Sequence, residues 1–327
     1  GYDTAMVGKW HLGLESPDRP TDRGFQYFRG YLGDMMDDYY QHMRHRIRYM
    51  RRQNELIKPK GHATDLFTQW SIDYLEQSRS DTKPFFLYLA YNAPHTPIQP
   101  PAEWLAKVKD REQGIGERRA KLVALIEHLD DGIGKVIAAL KANGQYENTL
   151  ILFTSDNGGQ LNVGASNGPW RSGKTHVYDG GLRVPFCAVW PGKIQPGTNV
   201  AVRALTMDLY PTMAEAAGAD FEHAIDGRSI LPSLLGKTQT LAQRSEVFTW
   251  LQRGKKKALI LGNWKIVLDR PKEQSRFELY NLEDDPQEAT DLALANPDKL
   301  AELIKLMKAF DAKAEQVDWR RPSQSKK

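Results

Sequence analysis

Short apolar runs and longer amphipathic stretches alternate along the chain. Buried strands are predicted for three uninterrupted apolar runs: residues 84–90, 149–154 and 184–190. Helices are predicted where apolar residues recur at helical spacing: residues 63–78, 117–143 and 208–217. Strands that alternate with helices in this way indicate an α/β fold with a central, mainly parallel sheet flanked by helices.

The pattern changes after Gly236. Short strand-like pieces separated by turns follow: residues 246–251, 257–261, 264–268 and 276–280. A Lys/Glu-rich helix is predicted next, over residues 297–316. The sequence therefore predicts three regions: an α/β domain (1–240), a C-terminal α+β subdomain with a small antiparallel sheet (241–319) and a polar tail (320–327).

Two segments ahead of the first predicted helix differ from this pattern. Residues 22–40 are aromatic and Gly-rich, which is typical of a loop. Residues 42–60 are rich in Arg and Lys, and the alternation over residues 46–49 predicts a short exposed hairpin.

The amino-acid composition narrows the possible classes of function only slightly. The 327 residues include 45 Lys and Arg against 41 Asp and Glu, a net charge of +4 that suits an anionic substrate and does not by itself indicate nucleic acid. No apolar run approaches the ~20 residues that span a bilayer. Cys187 is the single cysteine, so no internal disulfide can form, and its apolar surroundings predict a small buried side chain.

Two motifs place reactive side chains next to glycines. In GKWHLG, Lys9 and His11 lie two residues apart and can point into one cleft, although a surface turn with a solvated lysine is the alternative. In SDNGG, which follows a predicted strand, Asp156 and Asn157 offer hard oxygen ligands suited to Ca²⁺ or Mg²⁺. The same residue types also favour an ordinary turn.

Two further motifs carry one reactive residue each. Lys174 lies in the glycine-rich NGPWRSGK, where a mobile cation can meet an oxyanion, or where the loop is merely flexible. His95 lies in NAPHTP, directly after a predicted strand. A lone histidine is more often structural than catalytic, but at a strand end it can serve as a general acid.

Taken together and in this order, these motifs and YDGGLRVP resemble the sulfatase family within the alkaline-phosphatase superfamily, in particular its formylglycine-dependent, arylsulfatase-like members. The resemblance continues through DLYPT, DGRSILP and ELYNLEDDP and covers nearly the whole chain. It implies an alkaline-phosphatase-like fold. It also implies hydrolysis of sulfate esters, carried either by aryl groups or by carbohydrates.

The resemblance assigns roles to the reactive residues. Lys9 and Lys174 match the two lysines that hold the sulfate oxygens and offset their negative charge. His11 matches the histidine that takes a proton from the hydrated nucleophile. His95 matches the histidine that protonates the leaving alkoxide, a role that Lys174 could share.

Asp156 and Asn157 match one half of the family's metal site, with Ca²⁺ the expected ion and Mg²⁺ less favoured. The family's nucleophile is a formylglycine made from the Cys or Ser of a C/S-x-P-S-R motif. That motif, its arginine and a pair of acidic metal ligands are not in this sequence, and Cys187 lies in a different context. The sequence is therefore interpreted as an N-terminally truncated sulfatase that, alone, binds Ca²⁺ weakly and shows no turnover.

Two other functions stay open at this point. The same constellation could hold a phosphoryl group in a phosphoesterase or phosphonate hydrolase of the superfamily, or the chain could be a non-catalytic sulfoglycan-binding protein. The basic residues 42–60 could read anionic groups on a sulfated carbohydrate, although a solvated hairpin is the favoured interpretation. The resemblance further implies a bacterial protein of the periplasm or extracellular space, with a sulfate-ester substrate and no nucleic-acid partner.

Overall fold

The computed structural model describes residues 1–80, 83–237, 246–251, 254–269 and 276–315. The chain divides into two compact units. Unit 1 comprises residues 1–149 and 162–165, and unit 2 comprises residues 150–161 and 166–327. The domain boundary predicted near residue 240 stays a prediction.

Unit 1 is built on a mixed sheet with helices packed against it. Its strands are β1 (Asp3–Lys9), β2 (Tyr27–Tyr31), β3 (Met43–Arg44), β4 (Ile47–Arg48), β5 (Met50–Arg52), β6 (Glu55–Leu56) and β7 (Phe85–Ala90). Its helices are α1 (Ala63–Gln77), α2 (Ala102–Arg111) and α3 (Glu117–Ala142). One sheet has the order β6-β5-β2-β1-β7, with β1 parallel to both β2 and β7 and with antiparallel pairing at β2–β5 and β5–β6. The predicted α/β class is confirmed.

The parallel part of this sheet depends on close backbone contact at Gly8. Gly8 pairs in register with Gly30 on β2 and with Ala90 on β7. A Cβ atom on Gly8 would lie 2.0 Å from the Ala90 carbonyl oxygen, and one on Gly30 would lie 2.1 Å from the Gly8 carbonyl oxygen. The loop predicted for residues 22–40 is therefore partly wrong, because β2 lies inside it. Glycine ordinarily weakens a strand, but here it allows the backbones to approach.

Helices α1 and α3 supply most of the buried helical surface of unit 1, and both lie within one residue of their predicted bounds. Phe67 of α1 and Leu125 of α3 are fully buried and belong to the same core cluster as Val7 of β1. Helix α2 was not predicted. Its apolar stripe is short: Val108 is buried, and Trp104 and Leu105 pack beside it against Ala120 and Ala124 of α3.

The basic segment forms hairpins, as predicted. Strands β3 and β4 pair antiparallel around His45 and Arg46, whose φ angles of 49° and 66° are those of a type I′ turn. Strands β5 and β6 form a second antiparallel pair at the edge of the main sheet.

The described residues of unit 2 form two separate sheets. Its strands are β8 (Ile151–Thr154), β9 (Phe186–Val189), β10 (Glu246–Leu251), β11 (Lys256–Leu261), β12 (Trp264–Leu268) and β13 (Glu278–Asn281). Its helices are α4 (Asp179–Leu182), α5 (Leu209–Ala216), α6 (Leu231–Leu234) and α7 (Pro297–Glu315). Strands β10 to β13 form an antiparallel sheet in chain order, and α7 packs on it through Leu303 and Met307. The predicted small C-terminal sheet with a helix is confirmed.

The strands β8 and β9 differ from their prediction. They pair with each other in antiparallel fashion, whereas buried strands of a parallel sheet were expected. Their side chains are also partly exposed: Phe153 is 41% exposed, Phe186 is 40% exposed, and Cys187 is exposed rather than buried. Strand β7 is parallel as expected, but its Tyr88 is 46% exposed. An apolar run indicates a strand without fixing its direction or what covers it.

The predicted polar tail, residues 320–327, lies outside the described residues. Within the described ranges, no helix combines the length and the apolar character needed to cross a membrane.

Candidate functional site

The end of β1 carries the first two predicted site residues. Lys9 is the last residue of β1 and pairs in register with Tyr31 of β2. The His11 amide donates a hydrogen bond to the Leu32 carbonyl oxygen, at 3.2 Å. The φ of His11 is 57°, which is uncommon for a residue other than glycine and persists only where the surrounding structure enforces it. The extension of β2 therefore helps to hold His11 in a conformation that a free chain rarely adopts.

The charges around His11 favour its neutral form. Partial burial and the positive charge of Lys9 lower the pKa of His11, and the carboxylate of Asp34 raises it by a smaller amount. The net pKa lies below the ordinary value for histidine, so the imidazole is largely neutral at pH 7. A neutral imidazole can accept a proton, which is compatible with the role predicted for His11.

Asp34 connects His11 to the basic hairpin. Partial burial opposes ionisation of Asp34, but the Met35 amide and the Arg44 guanidinium outweigh it and hold the pKa of Asp34 below its usual range. Arg44 Nε lies 3.2 Å from Asp34, and Arg44 Nη1 lies 2.9 Å from Asp37. This arginine of the basic segment is therefore paired with two carboxylates, one of which, Asp34, raises the pKa of His11.

Replacing Asp34 with asparagine is expected to lower the pKa of His11 further, because a negative charge that favours the imidazolium is removed. NMR titration of the His11 ring measures the change. Asp37→Asn is the matched control, since Asp37 also pairs with Arg44 but is not one of the charges that shift His11. An unchanged or raised His11 pKa in Asp34→Asn contradicts the interaction, as does an equal fall in both variants.

His95 lies in the loop that follows β7. Its amide donates to the Asn92 carbonyl oxygen at 2.9 Å, and the Tyr39 hydroxyl donates to the His95 carbonyl oxygen at 2.9 Å. The ring Nδ1 lies 2.9 Å from the Thr96 carbonyl oxygen. A carbonyl oxygen only accepts hydrogen bonds, so we assign a proton to Nδ1, with the Thr96 hydroxyl oxygen at 3.3 Å as a second acceptor. Nε2 is therefore the ring nitrogen of His95 that can exchange a proton with a substrate.

Unit 2 brings the predicted metal residues and the second lysine onto adjoining loops. Asp156 and Asn157 come two and three residues after β8. The Lys174 amide donates to the Gly159 carbonyl oxygen at 3.2 Å. The structure thus places Lys9, His11 and His95 in unit 1, and Asp156, Asn157 and Lys174 in unit 2.

Asn167 ties these two loops together, although no role was predicted for it. Its side-chain oxygen accepts from the Gly159 amide at 2.7 Å, and its side-chain nitrogen donates to the carbonyl oxygens of Gly159 at 3.0 Å and Ser172 at 2.9 Å. The loops lie so close that a Cβ atom on Gly173 would be 2.3 Å from the Gly159 carbonyl oxygen. Asn followed by Gly is an ordinary turn signal, so only the tertiary contact reveals this bridge.

The backbone on both sides of Lys174 is strained. The His176 amide donates to the Gly173 carbonyl oxygen at 3.0 Å, which closes a turn with Lys174 and Thr175 at its centre. Thr175 has a φ of 74°, and Ser172, just ahead of the turn, has a φ of 65°. A β-branched residue at positive φ is a genuine outlier, and such strain concentrates at functional sites.

Asp156 and Asn157 fit a hard metal ion in the chemistry of their donors. An exposed carboxylate and a neighbouring carboxamide offer the oxygen ligands that Ca²⁺ and Mg²⁺ prefer. Ca²⁺ usually takes six to eight oxygens, so these two side chains account for only part of a complete coordination shell. The predicted assignment to a metal site stays a prediction.

A different cluster, His62, Asp65 and His128, is the only group in the described ranges with metal-ligating atoms within 4.8 Å of one another. Both ring nitrogens of His62 are already engaged: Nδ1 accepts from the Thr64 amide at 3.2 Å, and Nε2 donates to the Gln99 carbonyl oxygen at 3.0 Å. His128 Nε2 lies 2.7 Å from Asp65. Burial lowers the pKa of His62 to about 4, so it stays neutral and caps α1. We interpret the cluster as structural: His62 caps α1, and the contact between Asp65 and His128 links α1 to α3.

Comparison with known proteins gives two family matches along the chain. The family model described as Sulfatase matches residues 1–219, and the model described as N-sulphoglucosamine sulphohydrolase, C-terminal, matches residues 170–316. These two matches overlap and together extend from residue 1 to residue 316.

Individual relatives agree with the family models. The chain is 34% identical over 278 residues to the uncharacterized sulfatase YdeN of Escherichia coli K12, covering 77% of this chain and 48% of the relative. It is 31% identical over 252 residues to N-acetylgalactosamine-6-sulfatase of Mus musculus, covering 72% and 47%. The chain thus spans about half the length of these curated relatives.

A solved structure extends the similarity to three dimensions. The crystal structure of Ps i-CgsB in complex with k-i-k-neocarrahexaose superposes with a TM-score of 0.86 and 29% identity, covering 98% of this chain and 74% of that one. The alkaline-phosphatase-like fold that the sequence implied is confirmed.

Proposed function

The chain belongs to the sulfatase family, and on that premise we propose that it carries part of the active site of an enzyme that hydrolyses sulfate esters. One observation carries the proposal: hydrogen bonds between two loops of unit 2 hold Lys174 beside the loop of Asp156 and Asn157. A cation next to hard oxygen ligands suits a substrate group on which negative charge develops.

Each predicted residue takes the role that the family resemblance implies, and for the two histidines the surroundings support it. Lys9 and Lys174 offset the charge on the sulfate oxygens. His11, whose pKa is lowered, accepts a proton from the nucleophile. His95, whose Nδ1 is committed to the Thr96 carbonyl oxygen, gives a proton from Nε2 to the leaving alkoxide.

Two further components of the family mechanism belong to the proposal. Asp156 and Asn157 would hold part of a Ca²⁺ site, and Ca²⁺ bound there supplies Lewis-acid polarisation of a sulfate oxygen. The nucleophile is the formylglycine that family members carry in a C/S-x-P-S-R motif ahead of GKWHLG. The residues described in the chain act around that group by binding sulfate and by moving protons.

The proposed substrate is a sulfate ester of a sugar. One relative is named for N-acetylgalactosamine 6-sulfate, and one similar structure holds a neocarrahexaose. The mild positive charge of the chain suits such an anionic substrate. Periplasmic or extracellular location stays a prediction from the same family resemblance, and cell fractionation tests it.

The test is an activity assay on the full-length protein, including any segment that its gene encodes ahead of Gly1. Sulfate release is measured from carrageenan oligosaccharides, N-acetylgalactosamine 6-sulfate and 4-nitrophenyl sulfate. Lys174→Ala is expected to lower kcat/KM by about 10²-fold, because one preorganised charge opposite the reacting group is lost. Lys305→Ala, on the exposed face of α7, is the control.

Two results would overturn the proposal. One is faster hydrolysis of 4-nitrophenyl phosphate or a phosphonate monoester than of every sulfate ester, which favours the phosphoesterase alternative. The other is binding of sulfated oligosaccharides without any sulfate release, which favours a sulfoglycan-binding protein.

A further inference from the structure

The C-terminal sheet contacts the strained turn that carries Lys174. Lys256, the first residue of β11, donates from Nζ to the Thr175 carbonyl oxygen at 2.7 Å. Asp269, directly after β12, accepts from the Val177 amide at 3.0 Å. Two side chains of this sheet therefore hold the main chain of the residues that follow Lys174.

A third contact fixes a side chain of the same turn. His176 Nδ1 lies 2.5 Å from Asp269 Oδ2, so the ring is oriented by a carboxylate that is itself only 1% exposed. Lys256 Nζ lies 3.5 Å from the same carboxylate oxygen and is 12% exposed. Because strands β11 and β12 pair Lys257 with Leu268, the next residues outward, Lys256 and Asp269, come side by side. The register between β11 and β12 therefore places Lys256 next to Asp269.

From these contacts we infer that Asp269 and Lys256 are positioning residues for Lys174. They hold Thr175 in its left-handed conformation and thereby fix the backbone position from which the Lys174 side chain extends. The inference rests on the proposed function of Lys174. A threonine does not adopt a φ of 74° unaided, and Gly159 and Asn167 hold the turn only from its other side, through Lys174 and Ser172. Removing the clamp frees Thr175 to relax to negative φ and moves Lys174.

The test uses three variants of the full-length protein. Asp269→Asn keeps the size of the side chain and removes its charge, and Lys256→Met removes the donor to Thr175. Each is expected to lower kcat/KM for a sulfate ester by about 10-fold to 10²-fold, since small misplacement of a catalytic group has effects of that order. Lys257→Met is the matched control, because this neighbouring lysine pairs with Asp311 of α7.

A rescue variant separates positioning from general damage to the fold. Glycine adopts positive φ without steric cost, so Thr175→Gly added to Asp269→Asn is expected to recover most of the lost kcat/KM, to within about threefold of wild type. No recovery, or no loss in the two clamp variants to begin with, overturns the inference.

A second readout does not depend on turnover. The His176 amide closes the turn, and its hydrogen exchange is expected to accelerate about tenfold or more in Asp269→Asn but not in Lys257→Met, because a released turn opens more often. Unchanged exchange contradicts the clamp even if the enzyme is inactive. Absence of sulfatase activity in the wild type, with accelerated exchange in Asp269→Asn, rejects the proposed function and leaves the clamp standing as a structural device.

Discussion

Replacing His95 with asparagine is expected to reduce kcat/KM for a sulfated sugar by about 10²–10⁴-fold, the range typical of a lost general acid. The asparagine amide nitrogen takes the place of Nδ1 and keeps the hydrogen bond to the Thr96 carbonyl oxygen, so the loop is retained. The substitution removes Nε2, the nitrogen proposed to protonate the leaving alkoxide. Steady-state kinetics with a sulfated oligosaccharide measure the effect.

The same variant is expected to lose far less on 4-nitrophenyl sulfate. A nitrophenolate is a stable leaving group and departs without a proton, whereas a sugar alkoxide does not. His223→Ala, an exposed histidine packed among the rings of Tyr210 and Phe221, is the control and is expected to affect neither substrate. Equal losses on both substrates would show that His95 supports the loop or binds sulfate and does not act as the acid.

Replacing Lys265 with methionine is expected to destabilise unit 2 by about 3–5 kcal/mol, the cost typical of leaving buried charges without their partner. Lys265 is completely buried on β12, and its Nζ lies 2.5 Å from Asp179 Oδ1 and 2.7 Å from Glu288 Oε1. Burial raises the pKa of Glu288, and Lys265 offsets only part of that cost. The variant therefore retains two buried carboxylates of like charge, and Arg183, which is half exposed, stays paired to Asp179.

Urea unfolding followed by tryptophan fluorescence measures the loss, and Lys299→Met is the matched control. Lys299 is partly exposed and pairs with the exposed Glu302 one turn along α7, so its loss is expected to change stability by about 1 kcal/mol or less. In Lys265→Met the two carboxylates bind protons more tightly when folded than when unfolded. The deficit is therefore expected to shrink as pH falls from 8 to 5. A deficit equal to that of Lys299→Met contradicts the assigned role of the buried triad.

The triad and the clamp show how the C-terminal sheet serves the loops of unit 2. Asp179 begins α4 within YDGGLRVP, five residues after Lys174, and Lys265 reaches it from β12. Asp269 and Lys256 bind the same loop closer to Lys174, at Val177 and Thr175. The sheet is therefore more than a stabilising attachment, because its buried charges fix the segment that carries a proposed catalytic lysine.

The local sequence pattern was enough to predict the helices and strands whose signals lie within a few residues of one another. Helices α1 and α3 follow from their apolar spacing, and the strands of the C-terminal sheet follow from short apolar pieces between turns. The sequence also indicated the candidate site residues, because each lies next to glycines or directly after a strand: Lys9, His11, His95, Asp156, Asn157 and Lys174. Their assignment to family roles came from the order of the motifs and stays a prediction at the level of individual residues.

Contacts between residues far apart in the sequence decided the remaining features of the fold. The sequence does not say that β8 pairs antiparallel with β9, that β2 lies within a Gly-rich segment, or that Cys187 is exposed, since each depends on which strand lies alongside. Asp269 and Lys265 read as ordinary surface residues until their partners, about 90 positions away, are known. A charged side chain can be buried only where a partner compensates it, and the chain's three-dimensional path alone supplies that partner.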